Sequence, residues 1–136
     1  MRAVGVAFAA VCLLGCNPQQ QGATVHLTGK ATQIVAQWPD GAPLEKLFAI
    51  EDAIENAASD IADIDGHDVG SGTFNVFLYT DDSTIDATVA RLVKLVEGGK
   101  VPPGMKLGVA QYTNAARTDW TFKPVYPAGL TTFDIT

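Results

Sequence analysis

The segment Thr73–Thr80 (TFNVFLYT) constrains the fold of this 136-residue chain most strongly. An extended backbone places Phe74, Val76 and Leu78 on one side and two aromatic residues on the other. A strand with large apolar side chains on both sides needs cover on both faces. The sequence therefore predicts an interior strand of a sheet.

Four further segments have the composition of strands. Residues 61–69 precede the interior strand, and Gly70-Ser71-Gly72 between the two is typical of a tight hairpin return. The remaining predicted strands are bounded by proline, glycine or asparagine, and they cover residues 25–38, 106–112 and 120–126.

Two segments carry apolar residues at the spacings of three and four that mark amphipathic helices. The first follows Pro43, a residue suited to the first helical position, and the second follows Asp81-Asp82-Ser83, which is suited to a helix cap. Gly98-Gly99 ends the second helix. The predicted buried stripes are Leu47, Ile50, Ile54, Ala57 and Ile61 in the first helix, and Ile85, Val89, Leu92, Val93 and Val96 in the second.

The predicted element order is strand, helix, strand, strand, helix, strand, strand, which indicates the α+β class. This order resembles the ferredoxin-like split βαββαβ two-layer sandwich with an extra C-terminal strand. The resemblance implies two helices on one face of an antiparallel sheet. Residues 65–72 and the strand after them also resemble small bacterial ferredoxin-like domains that have no assigned activity. Another two-layer α+β arrangement with a different strand order is the alternative.

The amino-terminal segment has the three parts of an export signal. Arg2 supplies a positive charge, residues 3–14 carry no charge, and Leu13-Leu14-Gly15-Cys16 follows. The uncharged run would rise only about 18 Å as a helix, against a hydrocarbon core of about 30 Å, so it is too short to span a bilayer.

The segment Leu13-Leu14-Gly15-Cys16 resembles a bacterial lipobox. The resemblance implies a signal peptide over residues 1–15, a lipid on Cys16, a tether over residues 16–24 and a single domain over residues 25–136. Several acyl chains would make the membrane anchor permanent. Asn17 after the cysteine implies an outer-membrane location facing the periplasm in a Gram-negative host. An ordinary secreted protein with a cysteine near the cleavage site is the alternative.

The charge of the chain is strongly acidic, with 15 Asp and Glu against 9 Lys and Arg. The segment between Asp40 and Asp86 contains twelve acids and one base, Lys46. Nucleic acid is therefore an unsuitable partner, because phosphate backbones require clustered cations. The outer side of the first helix is acidic and would attract a basic protein, or its charges would only keep the surface solvated. Its acids are Glu45, Glu51, Asp52 and Glu55.

The hairpin concentrates the residues that could carry chemistry. Asp65, His67, Asp68 and Ser71 are the residue types of a hydrolase triad or, with neighbouring acids, of a hard-cation site. The segment lacks both the Gly-x-Ser-x-Gly elbow and the EF-hand spacing. Turn-favouring residues of a solvated hairpin are the simpler interpretation.

Histidine and aromatic residues bear on two other kinds of ligand site. A zinc site is not expected, since His26 and His67 are the only histidines and the mature chain would hold no free thiol. Trp38, Trp120 and Phe122 would form an aromatic ligand platform or would belong to the core. No cofactor is expected.

The sequence thus favours a lipid-anchored cell-envelope protein without catalytic activity, a binding, inhibitor or immunity-type domain. The alternative is a small hydrolase or divalent-cation-binding domain that uses Asp65, His67, Asp68 and Ser71. A third hypothesis is a small-ligand module with an apolar pocket.

Overall fold

The computed structural model describes residues 27, 29–39, 41 and 43–135. Its strands are β1 (Ala31–Pro39), β2 (Ala62–Gly70), β3 (Thr73–Asp81), β4 (Lys106–Tyr112) and β5 (Trp120–Tyr126). Its α-helices are α1 (Leu44–Ala58) and α2 (Ile85–Glu97), and a 3₁₀ turn over Asp82–Thr84 precedes α2. Cys16, the predicted signal and the whole of the predicted tether lie outside the described residues.

The five strands form one sheet in the order β2-β3-β1-β4-β5, and every neighbouring pair is antiparallel. The α+β class is therefore confirmed. The sheet has one strand more than the four of a βαββαβ unit, and β5 is added beside β4. The predicted interior position of β3 is also confirmed, since β3 pairs with β2 on one side and with β1 on the other.

Both helices pack against the same face of the sheet. The core contains alternate residues of β1, β3 and β4 together with the buried faces of α1 and α2. Burial of these side chains contributes the main stabilising term of the fold. The largest of them, each almost completely buried, are Ile34, Ile54, Phe74, Leu78, Leu92, Met105 and Leu107.

The predicted boundaries of several elements need correction. Helix α1 ends at Ala58, so Ile61 lies beyond it, and Pro43 immediately precedes the helix instead of occupying its first turn. Strand β1 begins only at Ala31, after the Gly29-Lys30 bend. Asp82 is part of the 3₁₀ turn and makes no side-chain cap to α2.

The other face of the sheet is covered in part by the carboxyl-terminal tail. Phe133 is buried and lies directly over Gly108, where the Cβ of any other residue would collide with its ring. The ring also packs against Phe122, with 5.7 Å between the centroids. Gln37 Nε2 donates to the backbone oxygen of Asp134 over 3.0 Å. The tail therefore contributes to the packing of this second face, although the sequence marks it only as irregular.

Candidate functional site

Helix α1 and strand β2 together form the part of the surface that holds most of the predicted site residues. Residues 44–70, from the start of α1 to the end of β2, contain eight acids and one lysine. On α1, Asp52 and Glu55 are exposed and Glu51 is partly buried. We call these three side chains of α1 the acidic surface.

A β-bulge in β2 decides where its polar side chains point. The pairing of β2 with β3 shifts between Ile64 and Gly66, so the simple alternation of sides is interrupted there. Gly66 has φ 135°, a conformation that side-chain-bearing residues rarely adopt. As a result His67 lies opposite Val76 on the helix side of the sheet, whereas Asp68 lies opposite Asn75 on the other side.

His67 is paired with an acid of α1. Its Nδ1 lies 2.7 Å from Glu51 Oε1, and because an ionised carboxylate only accepts, Nδ1 is the donor. The imidazole ring also contacts Phe48 and Phe74, with centroid separations of 6.0 and 5.9 Å. This pair joins the outer flank of α1 to the edge strand β2.

The predicted hydrolase constellation is not brought together. Ser71 lies in the hairpin turn with φ 51°, four positions after His67, which corresponds to roughly 13 Å along an extended strand. Asp68 accepts a hydrogen bond from Asn75 Nδ2 over 2.7 Å instead of contacting the histidine. Ser71 is therefore not placed to act as the nucleophile of a triad with the Glu51–His67 pair.

The carboxylates of this region are also dispersed. Asp60, just after α1, is bound by Arg91, whose hydrogen bond lowers the pKa of that carboxyl. Asp65 is exposed at the bulge. Within the described part of the chain, no group of three or more His, Cys, Asp or Glu side chains is arranged to hold a metal ion.

The aromatic platform is divided between two distant positions. Trp38 is buried in the core, packs against Phe74 at 6.0 Å and donates from Nε1 to the oxygen of Pro102 over 3.0 Å. Trp120 lies at the opposite end of the sheet and on its opposite face, beside Tyr112. Trp38 is therefore a core residue, in agreement with the second of the two sequence interpretations.

A cluster that the sequence did not predict lies at the end of the sheet where β1 begins and where β3 and β4 end. Arg117, in the β4–β5 loop, donates to both carboxylate oxygens of Asp82 over 3.2 Å and to Thr32 Oγ1 over 2.7 Å. Its guanidinium stands 3.9 Å from the centroid of the Tyr112 ring. Thr32 itself donates to Asp82. We call these four residues the Arg117 cluster.

The electrostatics of the Arg117 cluster are those of a structural clamp. Arg117, followed by Thr32, holds the pKa of Asp82 below its ordinary value of 3.8, and Asp82 in turn raises the pKa of Arg117. The cluster borders an open cleft of about 390 Å³. The two charges of the cluster, on Arg117 and Asp82, are paired with each other. The sequence signal for this cluster is a single cation, Arg117, in the predicted loop between the last two strands.

The comparisons add no relative. No protein-family model, no curated protein and no solved structure matches the chain. In the part of the chain that the structure describes, no helix has the length and apolar character that crossing a membrane requires.

Proposed function

We propose that this chain is a lipid-anchored protein of the cell envelope that binds a basic protein partner and has no catalytic activity. The lipobox residues support the anchor, with Cys16 as the lipidated amino terminus and the outer membrane, facing the periplasm, as its place in a Gram-negative host. An inhibitor or immunity-type role suits such a domain. The distribution of acids on α1 and β2 is the single observation that carries the binding function.

Two acids of α1, Asp52 and Glu55, are available for intermolecular contacts. Asp52 and Glu55 have no ion-pair partner among the described residues, and both are exposed. Asp60 and Asp82, outside α1, are instead neutralised by arginines. Concentrated negative charge speeds the encounter with a basic surface by 10-fold or more.

The same charge argues against two other partners. Nucleic acid and anionic lipid headgroups would both be repelled by the acidic surface. In this proposal the bilayer is therefore contacted by the lipid on Cys16 and by the tether, while the acidic surface remains available for the protein partner.

We also propose that the fold is a ferredoxin-like sandwich extended by β5. The order β2-β3-β1-β4, the antiparallel neighbours and the shared helix face support this assignment. A solved structure in which β2 lies between β1 and β3 would contradict it.

The anchor is tested on the protein purified from bacterial membranes. Mass spectrometry of the amino-terminal peptide should find Cys16 as the first residue, with a diacylglyceryl group on sulfur and an acyl group on nitrogen. A free thiol on Cys16, or a chain that retains residues 1–15, would contradict the anchor.

The binding function is tested by neutralising Glu51→Gln, Asp52→Asn and Glu55→Gln together. A twelve-residue peptide of alternating lysine and serine serves as the basic probe, and affinity is measured by titration of the full chain in neutral detergent. We expect roughly tenfold weaker binding, since three attractive charges are lost.

The control variant carries Asp86→Asn, Glu97→Gln and Asp119→Asn, which change the net charge equally at exposed positions on other elements. It should retain most of the affinity. Equal weakening in both variants would show that net charge alone matters, and this result would remove the acidic surface from the proposed function.

A further inference from the structure

Three large apolar side chains lie exposed where α1 passes over β2. Leu44 and Phe48 of α1 are 54% and 48% exposed, and Val69 of β2 is 48% exposed. His67 connects them, since its ring contacts Phe48 and its strand position is two residues from Val69, on the same side of the sheet. We call Leu44, Phe48 and Val69 the apolar patch.

The apolar patch is not part of the helix stripe that fills the core. The buried residues of α1 are Leu47, Ile50, Ile54 and Ala58. Leu44 and Phe48 are one turn apart on the flank that continues, at helical spacing, to Glu51, Asp52 and Glu55. A large apolar residue on the polar side of an amphipathic helix is the sequence signal for this patch.

Protein-binding surfaces typically combine a few apolar side chains with a charged rim. In such surfaces one or two large side chains supply most of the affinity, and the charged rim supplies orientation and encounter rate. Here Phe48 is the largest side chain of the patch. The neighbouring Glu51–His67 pair links α1 to β2, so both elements hold the surface around Phe48 in place.

We infer that the apolar patch is the anchor point for the basic partner of the proposed function, on which this inference rests. The partner is a protein surface that presents lysine or arginine around at least one projecting aliphatic or aromatic side chain. Leu44, Phe48 and Val69 receive the apolar side chain, while the exposed acids Asp52 and Glu55 pair with the surrounding cations.

Repulsion between like charges argues against two other occupants of this surface, a second copy of the chain and an anionic bilayer. A symmetric dimer through the apolar patch would place the acids of one copy against the same acids of the other, and like charges in close contact cost several kcal/mol. An anionic bilayer would be repelled for the same reason.

The edge of β2 favours docking by side chains over addition of a strand. The bulge between Ile64 and Gly66 interrupts its ladder, and Asp63, Asp65 and Asp68 place charge along it. A bulge and charged side chains both hinder another strand from pairing with a sheet edge. A partner therefore contacts the side chains of α1 and β2 and leaves the backbone of β2 unpaired.

The test uses two twelve-residue peptides of equal charge, one alternating lysine with leucine and one alternating lysine with serine. Phe48→Ser in the full chain should weaken binding of the lysine–leucine peptide about tenfold, which corresponds to about 1.4 kcal/mol. Binding of the lysine–serine peptide should change less than twofold. Val69→Thr, which keeps the shape of the side chain, should weaken the first peptide by a smaller factor.

Trp120→Ser is the matched control. Trp120 is also 48% exposed, yet it lies on the other face and at the other edge of the sheet. Its replacement should leave both affinities unchanged. Thermal unfolding of every variant establishes that the fold is intact.

The outcomes separate this inference from the proposed function. If both peptides bind equally and Phe48→Ser changes neither, the apolar anchor is overturned while the electrostatic binding function stands. If neither peptide binds, the proposed function fails as well. Sedimentation that shows self-association of the chain, abolished by Phe48→Ser, would assign the apolar patch to a dimer and overturn the inference.

Discussion

The Arg117 cluster and the acidic surface are both rich in charge, but they use it differently. In the Arg117 cluster, Asp82 is bound by Arg117 and Thr32, and the guanidinium covers the Tyr112 ring. On the acidic surface, Asp52 and Glu55 are exposed on the outer flank of α1. The first region satisfies its charges within the fold, while the second presents them to solvent.

This difference separates the two effects that charge has in a folded protein. Hydrogen bonds to charged groups that are partly shielded from water contribute to stability, since removing one partner leaves the other unsatisfied. Exposed charges contribute little to stability but act over the distance of a Debye length on an approaching partner. Changes in the Arg117 cluster should therefore alter unfolding, and changes on the acidic surface should alter binding.

The largest effect on stability is expected for Thr32→Val. The substitution keeps the volume and the β-branch but removes the hydroxyl that donates to Asp82 and accepts from Arg117. Thr32 is 3% exposed, but the Asp82 side chain is 50% exposed, so water replaces part of what the carboxylate loses. The free energy of unfolding, measured in urea, should fall by about 1–2 kcal/mol.

Thr121→Val in β5 is the control for Thr32→Val. Thr121 is exposed, and the substitution makes the same change of residue type within a strand. It should change stability by less than about 0.5 kcal/mol. If Thr32→Val is equally neutral, the Arg117 cluster is not a stabilising clamp and the contrast between the two regions disappears.

A smaller effect is expected from Asp82→Asn, and it should depend on pH. Arg117 and Thr32 lower the folded-state pKa of Asp82 below 3.8, so the carboxylate stabilises the fold above that pH. This contribution is lost as the pH falls through the folded-state value. Because the Asp82 side chain is 50% exposed, the contribution is at most about 1 kcal/mol.

Urea unfolding of the wild type and of Asp82→Asn between about pH 5 and pH 2 measures that loss. The stabilities of the two proteins should converge toward the acidic end, since protonation removes the same charge that the substitution removes. A stability difference that stays constant with pH would contradict a role for the Asp82 charge.

The smallest effect on stability is expected on the acidic surface. Asp52→Asn combined with Glu55→Gln should change the free energy of unfolding by less than about 0.5 kcal/mol, since both side chains are exposed and repel their acidic neighbours. The same variant should bind the lysine–serine peptide more weakly. A loss of more than 1 kcal/mol in stability would show that these acids serve the fold.

The sequence predicted the elements well where the signal was local. The bounds of β4 and β5 agree with the prediction, and Gly98-Gly99 ends α2 as expected. These features depend on alternation, helical spacing and turn residues, which act over a few neighbouring positions. The α1 stripe was correct through Ile54, and the error at Ile61 arose because helical spacing continues by chance beyond the true helix end.

The candidate site was predicted only in part. The acids of α1 and the hairpin were recognised, but the partner of His67 was not, because the bulge at Ile64 and Gly66 moves the histidine to the helix side and toward Glu51. A single inserted residue reverses which face each later side chain occupies. Simple alternation therefore could not place His67.

By itself, the sequence determined the α+β class, the interior position of β3 and the acidity of α1, because each follows from residue type and short-range spacing. The tertiary structure decided that Arg117 binds Asp82 across 35 positions, that Phe133 covers Gly108, and that Phe48 stands exposed beside His67. These contacts join residues that are distant in the chain. They depend on strand register, on one bulge and on the path of the tail, and no local pattern encodes those quantities.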